Sequence, residues 1–160
     1  MVRRATLEGL TVKLPLPRSD ELLERVEQAL TQPLKPDQRR PLLIAVDGAD
    51  GCGKSSLASW LAWQLGLPTV HLDLYNTSNH PIQWRTADLA RTVSHRLSRR
   101  PVIVEGVLAL DALEQIGRKP GFLIVVSGKA SDELADQIAA YRGRQNPNAR
   151  ADFTIDGYIE

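Results

Sequence analysis

Apolar residues recur along this chain in two rhythms, one of about every third or fourth position and one of short unbroken runs, and the changeovers fall at glycines and prolines. Thr6 to Leu14 alternates weakly around Gly9, which predicts a small hairpin or an edge strand. After Pro15 and Pro17, Leu22, Leu23, Val26 and Leu30 share one helical face, with Ser19 as the expected cap and Asp20 and Glu21 in the first turn. Pro33 and Pro36 end that helix. Apolar runs at 42–47, 102–106 and 122–126, with the short stretches 69–73 and 152–155, predict five strands. Helical spacing fills the gaps, at 54–65 with a stop at Gly66 and Pro68, at 86–97, near 111–116 and over 131–144. The polar and aromatic segment 74–85 reads as a loop.

Strands alternating with helices predict an α/β fold with a parallel sheet and right-handed crossovers. Residues 41–160 are expected to form that domain, and residues 1–40 an arm whose helix packs on it. At 160 residues the chain matches one domain. With 20 basic and 19 acidic residues, nothing predicts a nucleic-acid or membrane surface. The one cysteine excludes an internal disulfide, no apolar run approaches the ~18 residues of a membrane span, and Met1-Val2-Arg3-Arg4 is not followed by a signal-peptide core, so a cytoplasmic location is expected. Self-association is left open.

The segment between the first strand and the next helix carries the chemistry. Gly48-Ala49-Asp50-Gly51-Cys52-Gly53-Lys54-Ser55-Ser56 has two glycines with four residues between them, followed at once by Lys and Ser. This is the pattern of a phosphate-binding loop. A chain that wraps a triphosphate turns its N–H groups inward, and side chains at the tightest points would block the phosphate oxygens. Lys54 supplies a charge for the β and γ phosphates, Ser55 a hydroxyl for Mg²⁺, and the following helix its free N–H groups. Cys52 is expected to be a small residue that fits.

Two acids end neighbouring strands, Asp73 and Glu105, so both carboxylates are expected at the crest that carries the loop. One acid there can hold water on Mg²⁺, and another can orient or deprotonate an attacking hydroxyl. Arg142 and Arg144 end the penultimate helix, placed either to follow charge on a transferring phosphoryl group or to sit as solvated cations at a helix end. Tyr75, His80 and Trp84 are candidates for an acceptor pocket, with a packing role as the alternative for Trp84.

The phosphate loop with His71-Leu72-Asp73, Val102-Ile103-Val104-Glu105-Gly106-Val107 and Ala151-Asp152-Phe153-Thr154-Ile155-Asp156-Gly157 resembles the uridine kinase-like branch of P-loop kinases over about residues 40–157. The resemblance implies a P-loop NTPase fold with five parallel strands in the order 2-3-1-4-5, ATP with Mg²⁺, and transfer of the γ phosphate to a hydroxyl of a small-molecule acceptor such as a nucleoside. It matches Asp73 to the acid that activates the acceptor and Glu105 to the acid ending the third strand. Asp73-Leu74-Tyr75-Asn76 departs from that branch's Asp-Asp-Phe-Tyr, its nucleoside-holding insert is missing, and its arginine-rich lid is reduced to Arg142, Arg144 and Arg150. A nucleotide-binding module without transfer is the rival expectation. A GTPase-type switch is disfavoured, because Ser127-Gly128-Lys129-Ala130 lacks the acid of a guanine-reading element.

Overall fold

A computed structural model describes residues 16–31 and 41–157; the alternation at 6–14 and the prolines at 33 and 36 lie outside them. The elements run α1 (Ser19–Thr31), β1 (Leu43–Gly48), α2 (Lys54–Leu65), β2 (Thr69–His71), a 3₁₀ turn (Leu72–Tyr75), β3 (Asn76–Asn79), β4 (Ile82–Trp84), α3 (Thr86–Leu97), β5 (Val102–Gly106), α4 (Ala109–Gln115), β6 (Phe122–Ser127), α5 (Ala135–Gln145), α6 (Pro147–Arg150) and β7 (Phe153–Asp156). Five parallel strands form one sheet in the order β2-β5-β1-β6-β7. Counting only those five in chain order, this is 2-3-1-4-5, the order that the family resemblance implies.

Because successive side chains of a strand face opposite ways, β1 divides its apolar residues between two cores. Ile44 and Val46 join Ile103, Ile124, Val126 and Ile155 beneath Leu57, Leu61 and Leu65 of α2 and the buried face of α1. Leu43 and Ala45 join Val104, Leu123 and Val125 beneath α3, α4 and α5. Strands buried on both faces explain why the sequence shows continuous runs rather than alternation. The α1 helix is tied down by more than apolar contact, since the Arg18 guanidinium lies over the Phe153 ring at 4.7 Å and Arg25 donates to the Asp152 carbonyl. Arg18, at φ 63°, holds the cap position expected of Ser19, its carbonyl accepting from Leu22 N–H.

The largest departure from expectation is at 74–85. Instead of a loop, the chain makes a 3₁₀ turn and then an antiparallel hairpin, β3 with β4, whose turn contains the cis His80–Pro81 bond. Polar residues on both sides of β3 (Asn-Thr-Ser-Asn) hide the apolar alternation by which a strand is recognised. The hairpin is held from outside: the Gln137 side-chain amide of α5 accepts from Ile82 N–H at 2.9 Å and donates to Ile82 C=O at 3.3 Å. One side chain thus supplies the two bonds a further strand would have made. Smaller differences are the start of α5 at Ala135 rather than 131, and Asp73, which lies in the 3₁₀ turn and not at the end of β2.

The crest depends on close approach of the turn to β5. A Cβ on Gly106 would lie 2.6 Å from Leu72 Cβ and 2.9 Å from its Cδ1. Gly106→Ala is therefore expected to cost about 1–3 kcal/mol by overpacking. Urea melts of Gly106→Ala, Leu72→Ala and the double variant check this, with the double variant losing less than the sum of the two.

Candidate functional site

The loop from Gly48 to Ser56 joins β1 to α2 and turns on Gly51 and Gly53, at φ 74° and 93°. Cys52 of this loop is buried and fitted among glycines of three segments. A Cβ on Gly48 would meet Cys52 Sγ at 2.8 Å, one on Gly128 would meet Cys52 Cβ at 2.6 Å, and one on Gly157 would meet the Cys52 carbonyl at 2.5 Å. Burial raises the Cys52 thiol above its usual range, which suits a packing residue rather than a reactive thiolate. Lys54, the first residue of α2, is buried, and its Nζ donates across the loop to the Ala49 carbonyl at 3.2 Å.

In the next residue, Ser55 Oγ donates to the Glu105 carboxylate, 3.1 Å from each oxygen. Glu105 is almost fully buried and is met on its other side by His71 Nδ1, 2.6 Å from Oε1. The parallel register makes this possible, because His71 of β2 pairs directly with Glu105 of β5. Hydroxyl and carboxylate are the hard oxygen donors that suit Mg²⁺, which keeps the rest of its shell for phosphate and water. Lys54, Ser55, Glu105 and Asp73 all line one cavity of about 80 Å³, closed by Asn76, Ile82, Gly106 and Val107.

The other candidates separate. Arg142 donates to the Gly128 carbonyl at 3.3 Å and lines a second cavity, of about 170 Å³, with Gly48, Ala49 and Tyr141. Arg144 points elsewhere, onto Asp111. The Tyr75 hydroxyl donates to Thr92 Oγ1, exposed His80 lies 3.3 Å from Glu133, and the buried Trp84 packs with Leu89 and Val93. None of Tyr75, His80 and Trp84 lines the cavity that holds Asp73; Asn76 and Ile82 of the hairpin do. On the outer side of the loop, Asp50, Gly51, Lys129, Ser131, Asp132 and Gly157 border a larger hollow of about 630 Å³. Burial would raise the Asp50 carboxyl, but hydrogen bonds from Ser131 outweigh it and hold the group below its usual range.

Three residues of this region escaped the sequence reading. Asp47, the last residue before the loop, is buried on the face opposite Glu105. Its Oδ1 accepts from Ala109 N–H at 3.1 Å and its Oδ2 from the Tyr141 hydroxyl at 2.8 Å. Burial pushes the Asp47 carboxyl above its ordinary range against the pull of these bonds, and burial and the neighbouring Asp47 raise the Tyr141 phenol. Asp47 ends an apolar run just as Glu105 does, and that was its signal. His71 and Asn76 carried none, since each acts through a partner distant in sequence.

Comparison with solved structures finds the same fold. A protein described as a possible uridine kinase from Bacillus stearothermophilus superposes with a TM-score of 0.63 at 17% identity, covering 87% of this chain and 97% of that one. Looser likenesses, with TM-scores of 0.42 and 0.43, are to shikimate kinase from Bacteroides thetaiotaomicron (22% identity, 72% of this chain and 86% of that one) and a gluconokinase from Sinorhizobium meliloti (20%, 76% and 86%). No family model and no curated protein matches the sequence. The chain shares with the Bacillus stearothermophilus protein its α/β fold, a five-stranded parallel sheet with helices on both faces.

The raised Asp47 carboxyl has a definite sign in stability. The folded state holds that proton more tightly than the unfolded chain, whose value is near 3.8. Stability is therefore lost as pH rises from about the unfolded value through the higher folded one, and is level above it. Asp47→Asn removes this slope, so its stability relative to wild type is expected to improve from pH 4 to pH 8 in urea melts. Tyr141→Phe, which leaves Asp47 Oδ2 without its donor, is expected to cost about 1–3 kcal/mol at neutral pH.

Proposed function

We propose that the chain is an ATP-dependent phosphotransferase that moves the γ phosphate to a hydroxyl of a small molecule. The observation that carries this reading is that one cavity is lined at once by the loop residues Lys54 and Ser55, by buried Glu105 and by the exposed carboxylate of Asp73. A loop that only bound nucleotide has no use for a free carboxylate facing its phosphate end.

In this reading the N–H groups of Gly48 to Ser56 and the amino end of α2 hold the phosphates, with Lys54 leaving the Ala49 carbonyl to pair with the β and γ groups. The hollow beside Asp50, Lys129 and Gly157 takes the base and ribose. Ser55 and Glu105 would hold Mg²⁺, which when bound neutralises charge on the β and γ oxygens. His71, bonded to Glu105 Oε1, would keep that carboxylate from turning away. Asp73 accepts the proton of the acceptor hydroxyl as that oxygen bonds to the γ phosphorus. The bond from γ phosphorus to the β–γ bridging oxygen breaks, and ADP leaves with its electron pair. Arg142 is the guanidinium placed to reach the loop; Arg144 is committed to Asp111.

The rival, a module that binds ATP without transferring phosphate, draws support from how little of a lid remains: among the described residues after β6, Arg150 is held by Gln145 and Arg144 by Asp111. Two variants decide between them. Lys54→Ala is expected to weaken ATP binding at least about tenfold by calorimetry. Asp73→Asn is expected to leave that affinity within twofold and to lower transfer about 10²–10⁴-fold. Transfer by Asp73→Asn at the wild-type rate would remove Asp73 from the mechanism. ATP protection against thermal unfolding, with no ADP formed on any acceptor, would establish the rival.

A further inference from the structure

Near-equal numbers of acids and bases, from which no nucleic-acid surface is expected, hide how unevenly this chain spreads them. Positions 91–100 and 118–119 hold Arg91, Arg96, Arg99, Arg100, Arg118 and Lys119, six of the 20 basic residues and none of the 19 acidic ones. The rest of the chain is left with 14 bases against 19 acids. All six residues are exposed.

The fold gathers them on one face. Arg91 and Arg96 lie on α3, and the turn after it is closed by Arg99 N–H and Arg100 N–H, both donating to the Arg96 carbonyl at 3.2 Å. The turn after α4 reverses at Gly117, with φ 69°, and its Arg118 guanidinium crosses to α3 to donate to Ser94 Oγ at 3.1 Å. Ser94 is one turn from Arg91 on that helix. Both turns lead into the sheet at the amino ends of β5 and β6, the edge opposite the phosphate loop.

These cations differ from the others in having almost no counter-groups. Arg18, Arg25, Arg85, Arg142, Arg144 and Arg150 each donate to a carboxylate or a carbonyl. Of the six on this face, only Arg91 meets an acid, Asp88 at 3.5 Å, and Asp88 is shared with Arg85. Among the described residues, Arg96, Arg99, Arg100, Arg118 and Lys119 form no ion pair. Like charges gathered without counter-charge oppose the compact state. The carbonyl end of α3 offsets part of this within its last turn, but Arg118 is brought in from another element and is held there by a hydroxyl.

The chemistry of the face narrows what covers it. Five of the six are arginines, whose planar fork matches phosphate oxygens. The apolar side of α3 is taken up by the core, where Leu89 and Val93 are buried, so it has no large apolar residue to place in a bilayer. None of the twelve positions is aromatic, so unpaired bases find no stacking platform. Duplex nucleic acid asks for neither, since its paired strands present one phosphate charge per ~1.7 Å of axis.

We propose that this face, apart from any phosphotransfer at the opposite edge, binds the phosphate backbone of duplex nucleic acid without reading its sequence. Fluorescence anisotropy of short labelled DNA duplexes of two unrelated sequences, titrated with the full chain in saturating ATP and Mg²⁺ to keep the phosphate loop occupied, tests this. Both duplexes should bind alike, and the logarithm of the binding constant should fall against that of salt with a slope of about −4 to −5, from about five phosphates at ~0.9 each. Arg96→Ser with Arg99→Ser should flatten that slope by about 2 and weaken binding at least about tenfold in about 50 mM salt. Arg118→Ser with Lys119→Ser, on the neighbouring turn, should do the same, which keeps the test decisive if either variant fails to fold. Arg144→Ser with Arg150→Ser changes the net charge equally on α5 and α6 and should leave binding within about twofold. An equal loss in that control overturns the proposal, because net charge alone then draws the duplex. So does tighter binding to phosphatidylserine vesicles or to polyglutamate in the same salt, which gives the face to a membrane or to an acidic protein. Preference for one duplex sequence, or no duplex binding in the presence of ATP, overturns it as well.

Discussion

A carboxylate taken out of water must be met by donors, and the carboxyl edge of this sheet holds two such groups back to back. Glu105 points to the α2 side, where Ser55 and His71 receive it; Asp47 points to the α4 and α5 side, where Ala109 N–H and the Tyr141 hydroxyl do. The pairing of β1 with β5 puts them one residue apart in register, Val46 beside Glu105 and Asp47 beside Gly106. Between them they tie β2, α2, α4 and α5 to the two central strands. The phosphate loop springs from the point where these ties converge, which is why a segment turning on Gly51 and Gly53 still holds one shape.

Packing supports the same end. Cys52 has no polar role, yet the glycines at 48, 128 and 157 leave room for it and for nothing larger. The loop is therefore pressed against β6 and the end of β7 from outside and held by Glu105 and Asp47 from within.

Much of this was legible in the chain before its structure. The five strands and the helices at 54–65 and 86–97 followed from runs and stop signals, because burial on both faces leaves a strong local trace, while the strand order came only with the family resemblance. The phosphate loop, Asp73 and Glu105 were also visible, being polar residues at the ends of apolar runs. What was not legible was whatever depends on a distant partner. The hairpin at 76–84 is polar on both sides of β3 and takes part of its support from Gln137, more than fifty positions away, so no local period announced it. Trp84, the most conspicuous aromatic of that segment, turned out to pack inward with Leu89, while the unremarkable Asn76 faces the cavity. Arg142 and Arg144, two apart on one helix, look equivalent in sequence and are separated by Asp111, which takes one of them.

The amide of Gln137 joins two parts of the molecule with different duties. The hairpin presents Asn76 and Ile82 to one cavity, and α5 presents Tyr141 and Arg142 to the other, beside the start of the phosphate loop. With Ile82 bonded at both its N–H and its C=O, neither element shifts without the other or without breaking both bonds. The two cavities thus have walls clasped together by one side chain, so that they form a single mechanical piece.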